Sequence, residues 1–364
     1  MSKVVIAPDK FKGSLPAKEV ADAIAAGLRG AVPGVETAEC PIADGGDGTV
    51  AAAVAAGFAF VPAVATGPTG EPVETGYARQ GNTAIVELAA VSGLSRLPGG
   101  VLAPLTSSTL GVGELIAHAL AAGCRKIVIG LGGSASTDGG SGLVRGLGAR
   151  LLDADGAEIS LGGQALPDLA RVDLSEMDLH GAEFVVASDV DNPLLGEHGA
   201  AAIYGPQKGA SPEDVAALDS ALRHFAELVD PSFADAPGAG AAGGTGYACL
   251  AILGASFRAG IDVVLEMTAF AEKLAGADLV ITGEGSFDEQ TLHGKGPAGI
   301  AAQAGETPVV AMAGHTSLPP EVLRANGFAA AYALTDIEPD VGRCMTDTAE
   351  LLEQLAARVA KDWL

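Results

Sequence analysis

The chain has 364 residues, with 45 Asp and Glu against 21 Lys and Arg, a formal net charge of -24. That balance argues against a polynucleotide surface, and an aromatic content of 4% argues against base-stacking platforms. With 48% hydrophobic and 18% charged residues the chain can bury ample core, and its length suffices for two domains.

The amino terminus enters a short apolar strand, Val4 to Ala7, stopped by Pro8-Asp9 and too brief for the apolar core of a signal peptide. A loop to Ser14 leads into a helix over 17–28 with Val20, Ile24 and Leu28 on one stripe. A second strand over 35–42 ends at Asp44-Gly45-Gly46-Asp47-Gly48-Thr49, which opens an alanine-rich helix to Ala56. Between 58 and 88 the pattern shortens, with turn signals at Gly67-Pro68-Thr69-Gly70 and Gly81-Asn82, as in antiparallel strands. A helix over 108–121 precedes a buried strand over 126–131, and a further strand is expected over 183–188. Helices over 212–229 and 244–259 follow, then strands over 278–282, 308–313 and 329–334 whose Val, Ile and Ala content suits a parallel sheet buried on both faces.

The expected fold is α/β with two domains. A discontinuous parallel-sheet domain comprises residues 1–60 and 276–364, and a mixed-sheet α/β domain is inserted over 61–275. The uncharged stretch from Gly238 to Phe257 reads as a glycine-rich loop entering a buried helix, so no membrane association is expected. The four cysteines form no Cys-x-x-Cys pair, which favours reduced thiols and a cytoplasmic location.

Three of nine lysines precede glycine: Lys12-Gly13, Lys208-Gly209 and Lys295-Gly296. Glycine beside a cation lets backbone N–H groups approach an anion, and at a Debye length of about 8 Å local charge outweighs the global field. Asp189-Val190-Asp191-Asn192-Pro193 follows a buried strand, a spacing that suits a hard cation and equally an Asx turn. Glu284, Asp288 and Lys295 share one loop, which implies either a surface ion pair or work on a Mg-phosphate. Gly238-Ala239-Gly240-Ala241-Ala242-Gly243 matches a dinucleotide fingerprint in letters, but Asp235-Ala236-Pro237 stands where a strand is required.

Six ordered motifs cover essentially the whole chain: Pro8-Asp9-Lys10-Phe11-Lys12-Gly13-Ser14, Ala43-Asp44-Gly45-Gly46-Asp47-Gly48-Thr49, Gly132-Gly133-Ser134-Ala135-Ser136-Thr137-Asp138-Gly139-Gly140, Asp189-Val190-Asp191-Asn192-Pro193-Leu194, Gly205-Pro206-Gln207-Lys208-Gly209-Ala210 and Thr282-Gly283-Glu284-Gly285. In this order the chain resembles the bacterial type I glycerate kinase family. The resemblance implies ATP-dependent phosphorylation of D-glycerate with Mg2+, in a cleft between a flavodoxin-like domain and a second α/β domain. Serine at 286, where many relatives have arginine, departs from the pattern, as do Ser136, Ser188 and His315.

On that footing Lys12 and Lys295 are expected to contact phosphate or carboxylate, and Asp189 or Asp191 to accept the substrate proton or hold Mg2+. Ser14, Asp44, Thr49, Asn192 and Lys208 are candidates for the acceptor. Ser134, Thr137, Gly240, Gly243, Glu284 and Asp288 are candidates for the nucleotide. Transfer to the 2-hydroxyl is expected, with the 3-hydroxyl as the alternative; an NAD-dependent hydroxy-acid oxidoreductase and a metabolite sensor are remoter readings. The expected partners are D-glycerate and ATP, with neither nucleic acid nor membrane, and a homo-oligomer is compatible with the chain.

Overall fold

A computed structural model describes residues 2–43, 45–292 and 296–364. The chain forms two compact units, one of Met1–Asp44, Ala51–Gly57 and Ile261–Leu364, the other of Gly45–Val50 and Phe58–Gly260.

The first unit holds a five-stranded parallel sheet. In spatial order its strands are Glu36–Glu39, Lys3–Pro8, Leu279–Gly283, Val309–Ala313 and Ala330–Ala333. Counted along the chain this is the 2-1-3-4-5 order of a flavodoxin-like doubly wound fold, whose ligand crevice lies at the switch between strands 1 and 3. Alternate residues explain why the strands read as nearly continuous apolar runs. Val4, Ile6, Ile281 and Val310 face the helices Ala17–Ala31 and Thr348–Trp363 through Ile24, Leu28, Leu352 and Leu355. Val5, Ala7, Val280 and Val309 face the opposite way, onto a core that includes Val264 and Ile300.

The second unit is built on six strands in the order Ser256–Arg258, Glu183–Ala187, Lys126–Gly130, Thr83–Glu87, Pro72–Gln80 and Ala59–Thr66. The first four run parallel and the last two pairings are antiparallel, so Gly67–Gly70 and Gly81-Asn82 do turn the chain back on itself. One face packs against helix Leu110–Ala121 through Val112, Leu115 and Ile116. Helix Pro212–Val229 starts in a capping box, where Ser211 and Asp214 exchange side-chain to backbone bonds of 2.9 and 3.1 Å, and buries Leu218, Leu222 and Phe225 in a satellite core.

Most expected elements shift by one to three residues at an end, and two differ more. The strand expected over 35–42 is confined to Glu36–Glu39, in register with residues 3–6 at the sheet edge, while Cys40 N and Ile42 N still donate to Ile6 O and Pro8 O at 2.7 and 2.9 Å beyond its end. The helix expected over 244–259 runs Ala241–Ala251 and then breaks; Gly254 adopts φ +62°, and Ser256–Arg258 joins the sheet. Apolar content alone does not separate a helix end from a short buried strand.

Candidate functional site

In the first unit a cavity of about 540 Å3 opens at the carboxyl ends of the parallel strands. The loop after the first strand begins with Asp9 N donating to Gly283 O at 2.8 Å and closes as Phe11 N donates to Leu15 O at 2.9 Å. Gly13 makes the turn at φ +80°, a conformation unfavourable for a residue with a Cβ. Lys12 is exposed on this turn and lines the cavity. The Ser14 hydroxyl donates to Met345 O at 2.9 Å and pairs with the Thr348 hydroxyl, so it ties the turn to the carboxyl-terminal helices.

The opposite wall follows the third strand. Glu284 and Asp288 line it, and Asp288 Oδ1 accepts from Gln290 N at 2.8 Å to start the short 3-10 turn Glu289–Leu292. The far side is formed by Gly314, His315, Leu334 and Thr335 at the ends of the last two strands, and by Val341, Cys344, Met345 and Thr348 beyond them. Lys12 and Ser14 thus line one cavity with Glu284 and Asp288, which follow in the chain about 270 residues later. Lys295 and Asp44 lie outside the described residues.

In the second unit, loops at the carboxyl ends of the parallel strands form another cluster. Glu87, at the end of its strand and 5% exposed, accepts from Gly48 N at 3.2 Å and Val50 N at 3.0 Å, compensating backbone donors at the start of a helix. Thr49 spends its hydroxyl on Gly46 O at 2.7 Å. Asp189 and Asp191 are exposed, and Asp189 Oδ1 accepts from Gly260 N at 3.0 Å. Asn192 has both ends of its amide engaged, Nδ2 donating to His198 O at 2.9 Å and Oδ1 accepting from Tyr204 Oη at 2.7 Å. Those bonds hold the loop and leave the two aspartates at its surface.

The glycine-rich segment packs directly on these loops. Gly240 N donates to Asn192 O at 2.9 Å and Gly139 N to Gly243 O at 3.0 Å. Gly243 has φ +68°, and a Cβ there would stand 2.1 Å from Ser136 O, so a side chain would displace the backbone. Residues 234–240 before it are turns, with no strand where the dinucleotide fingerprint needs one.

Around Ser134–Asp138 the polar groups are buried. Asp138 is fully buried and accepts from Thr109 N and Oγ1, both at 2.9 Å, from Gly140 N at 3.1 Å and from Gly142 N at 3.2 Å. Lys208 is 1% exposed and donates to Ser136 O at 2.5 Å. Burial pulls its ammonium down to about 7, against the opposing pull of the Asp138 carboxylate. The Ser136 and Thr137 hydroxyls are buried without a hydrogen-bond partner among the described residues, and Ser134 is 6% exposed.

The sequence motifs contained Asp138 but no reason to single it out, since two of its four donors belong to Thr109, which only the fold brings to it. Glu87 had no local signal either. Val341, Met345 and Thr348 carry no local motif, and only the fold brings them to one wall.

A family model described as the glycerate kinase family matches residues 4–364. The chain is 44% identical to the glycerate kinase of Bacillus subtilis, over 98% of this chain and 97% of that one. It is 45% identical to the glycerate 2-kinase of Escherichia coli, over 91% and 90% of the two chains. A crystal structure described as a glycerate kinase 2 from Salmonella typhimurium LT2 superposes with a TM-score of 0.87 at 43% identity, covering 99% of this chain and 98% of the other. With two α/β units and matches along its whole length, the chain is a kinase and belongs to the glycerate kinase family.

Proposed function

We propose that the enzyme transfers the γ-phosphoryl group of ATP to the 2-hydroxyl of D-glycerate, forming 2-phosphoglycerate and ADP. The observation that carries this reading is the 45% identity to the Escherichia coli glycerate 2-kinase over 91% of the chain. The site chemistry agrees with it. Phosphoryl transfer asks the protein mainly for positioning and charge stabilisation, and the loops offer carboxylates and an exposed lysine rather than a nucleophilic triad.

Asp189 is assigned as the base. Its Oδ1 accepts from the Gly260 amide, which orients the carboxylate at the end of its strand for work as a proton acceptor. The hydroxyl oxygen then bonds to the γ-phosphorus as the bond to the β,γ-bridging oxygen breaks, and ADP leaves with that electron pair. Lys12 meets developing phosphate charge from a turn that Ser14 holds in place. At 4 Å and an effective dielectric of 20, a unit charge pair is worth about 4 kcal/mol, enough for one lysine to matter.

Mg2+ fits the donor set. With Asp189 committed to the hydroxyl proton, Asp191, two residues on and exposed, offers the hard oxygens. Among the described residues no group of three or more His, Cys, Asp or Glu is assembled that could hold a metal. The ion would therefore be held by the Asp191 carboxylate together with the nucleotide phosphates, its usual mode. When bound it neutralises phosphate charge.

Coupling the product to enolase tests the regiochemistry. Signal without added phosphoglycerate mutase is expected; a strict requirement for the mutase would place the phosphate on the 3-hydroxyl and overturn the proposal.

A further inference from the structure

The cavity of the first unit has a feature that a small hydroxy acid leaves unexplained. Val341 and Met345 are 63% and 45% exposed, both line the cavity, and they sit one helical turn apart on helix Val341–Thr346. Beneath this strip the lining is apolar and buried: Phe11 is 4%, Leu334 0% and Cys344 6% exposed. D-glycerate is polar over nearly its whole surface and would gain little from such a wall. Its three carbons would also leave most of the 540 Å3 to water, whereas cavities of roughly 300–1,000 Å3 are those that enclose drug-sized ligands.

The apolar strip and the cationic turn are one mechanical piece. Ser14 donates to Met345 O at 2.9 Å, and a Cβ on Gly13 would lie 3.3 Å from Met345 Cε. An amphipathic ligand with a flat apolar end and an anionic end is matched by a wall of this kind joined to Lys12. The position is also the crevice at the switch of strand order, where open α/β sheets take nucleotides.

We infer that this cavity seats the nucleoside end of the nucleotide, with the base against Val341 and Met345 and the phosphate chain running toward Lys12. The inference rests on the ATP-dependent reading above and adds which unit, and which wall, holds the base.

Titration calorimetry of the full chain with MgADP, beside inhibition by tripolyphosphate and steady-state kinetics in glycerate, tests it. The double variant Val341→Ser/Met345→Ser should weaken ADP at least tenfold, while tripolyphosphate inhibition and the KM for glycerate stay within twofold. Met345→Leu, which keeps the apolar wall, should bind ADP as the wild type does. Both residues are exposed, so the fold should persist, and a melting curve checks that. Unchanged ADP affinity with a raised glycerate KM would make the cavity the acceptor's, and unchanged values of both would remove it from the site. Either result overturns the inference while leaving phosphoryl transfer by the wild type intact. ADP binding that depends on Val341 and Met345 in a protein that phosphorylates no glycerate would do the reverse.

Discussion

Lys12-Gly13 and Lys208-Gly209 are the same dipeptide in similar turns, with positive φ at both glycines, yet their cations live in opposite surroundings. Lys12 is exposed on a cavity wall; Lys208 is 1% exposed and donates to a backbone carbonyl. The carboxylates divide in the same way, Asp189 open at a loop surface and Asp138 sealed under four donors. An exposed charge retains the freedom to meet a ligand. A buried one is committed to the fold, because removing its partners would leave it uncompensated at a cost of several kcal/mol.

The contrast is sharpest in the carboxylates. Asp189→Asn should lower kcat by roughly 10²- to 10⁴-fold with a smaller change in the KM for glycerate, and should leave the melting temperature alone. Asp138→Asn should instead destabilise the protein by about 3–5 kcal/mol in denaturant unfolding, since an amide cannot accept from all four donors. A stable Asp138→Asn enzyme with depressed kcat would break the comparison.

The lysines should follow with smaller effects. Lys12→Met is expected to reduce kcat/KM by about 10- to 100-fold, as for loss of a charge-assisted hydrogen bond worth roughly 1.5–3 kcal/mol, without lowering the melting temperature. Lys208 should announce itself through pH. Its folded pKa of about 7 lies below the ordinary 10.5, so between these values the unfolded chain carries a proton that the folded chain lacks. Its contribution to stability therefore rises with pH across that window, by up to about 1.4 kcal/mol per unit. Unfolding curves at several pH values should show this slope in the wild type and lose it in Lys208→Met; equal slopes would mean that Lys208 stays charged when folded.

Ser14→Ala is the smallest expected effect, about 1 kcal/mol of stability from the lost bond to Met345 O. A raised glycerate KM at unchanged stability would instead make Ser14 a ligand to the acceptor.

Much of the fold is legible locally. The apolar runs of the parallel sheet, the stripe of helix Ala17–Ala31 and the glycine turns of the antiparallel strands each depend on near neighbours in the chain. The break after Ala251 was not legible, because the segment remains apolar through Phe257 and its strand is set by pairing with Val185–Ala187. In the site, Lys12, Glu284 and Asp288 could be chosen from their loops and Ser14 from the resemblance, and the four line one cavity. The burial of Lys208 could not be foreseen. Its environment is made by Ser136 and Asp138, about seventy residues earlier, and nothing in a Lys-Gly pair reports the arrival of those neighbours. The apolar wall from Val341 to Met345 escaped for the same reason, since its meaning comes from the turn it clasps.

The most direct measurement is the phosphorus NMR spectrum of the products formed from D-glycerate and MgATP. The expected result is stoichiometric ADP and 2-phosphoglycerate. Resonances of 3-phosphoglycerate, or free phosphate with no phosphorylated acid, would contradict the assignment of this site to 2-hydroxyl phosphorylation.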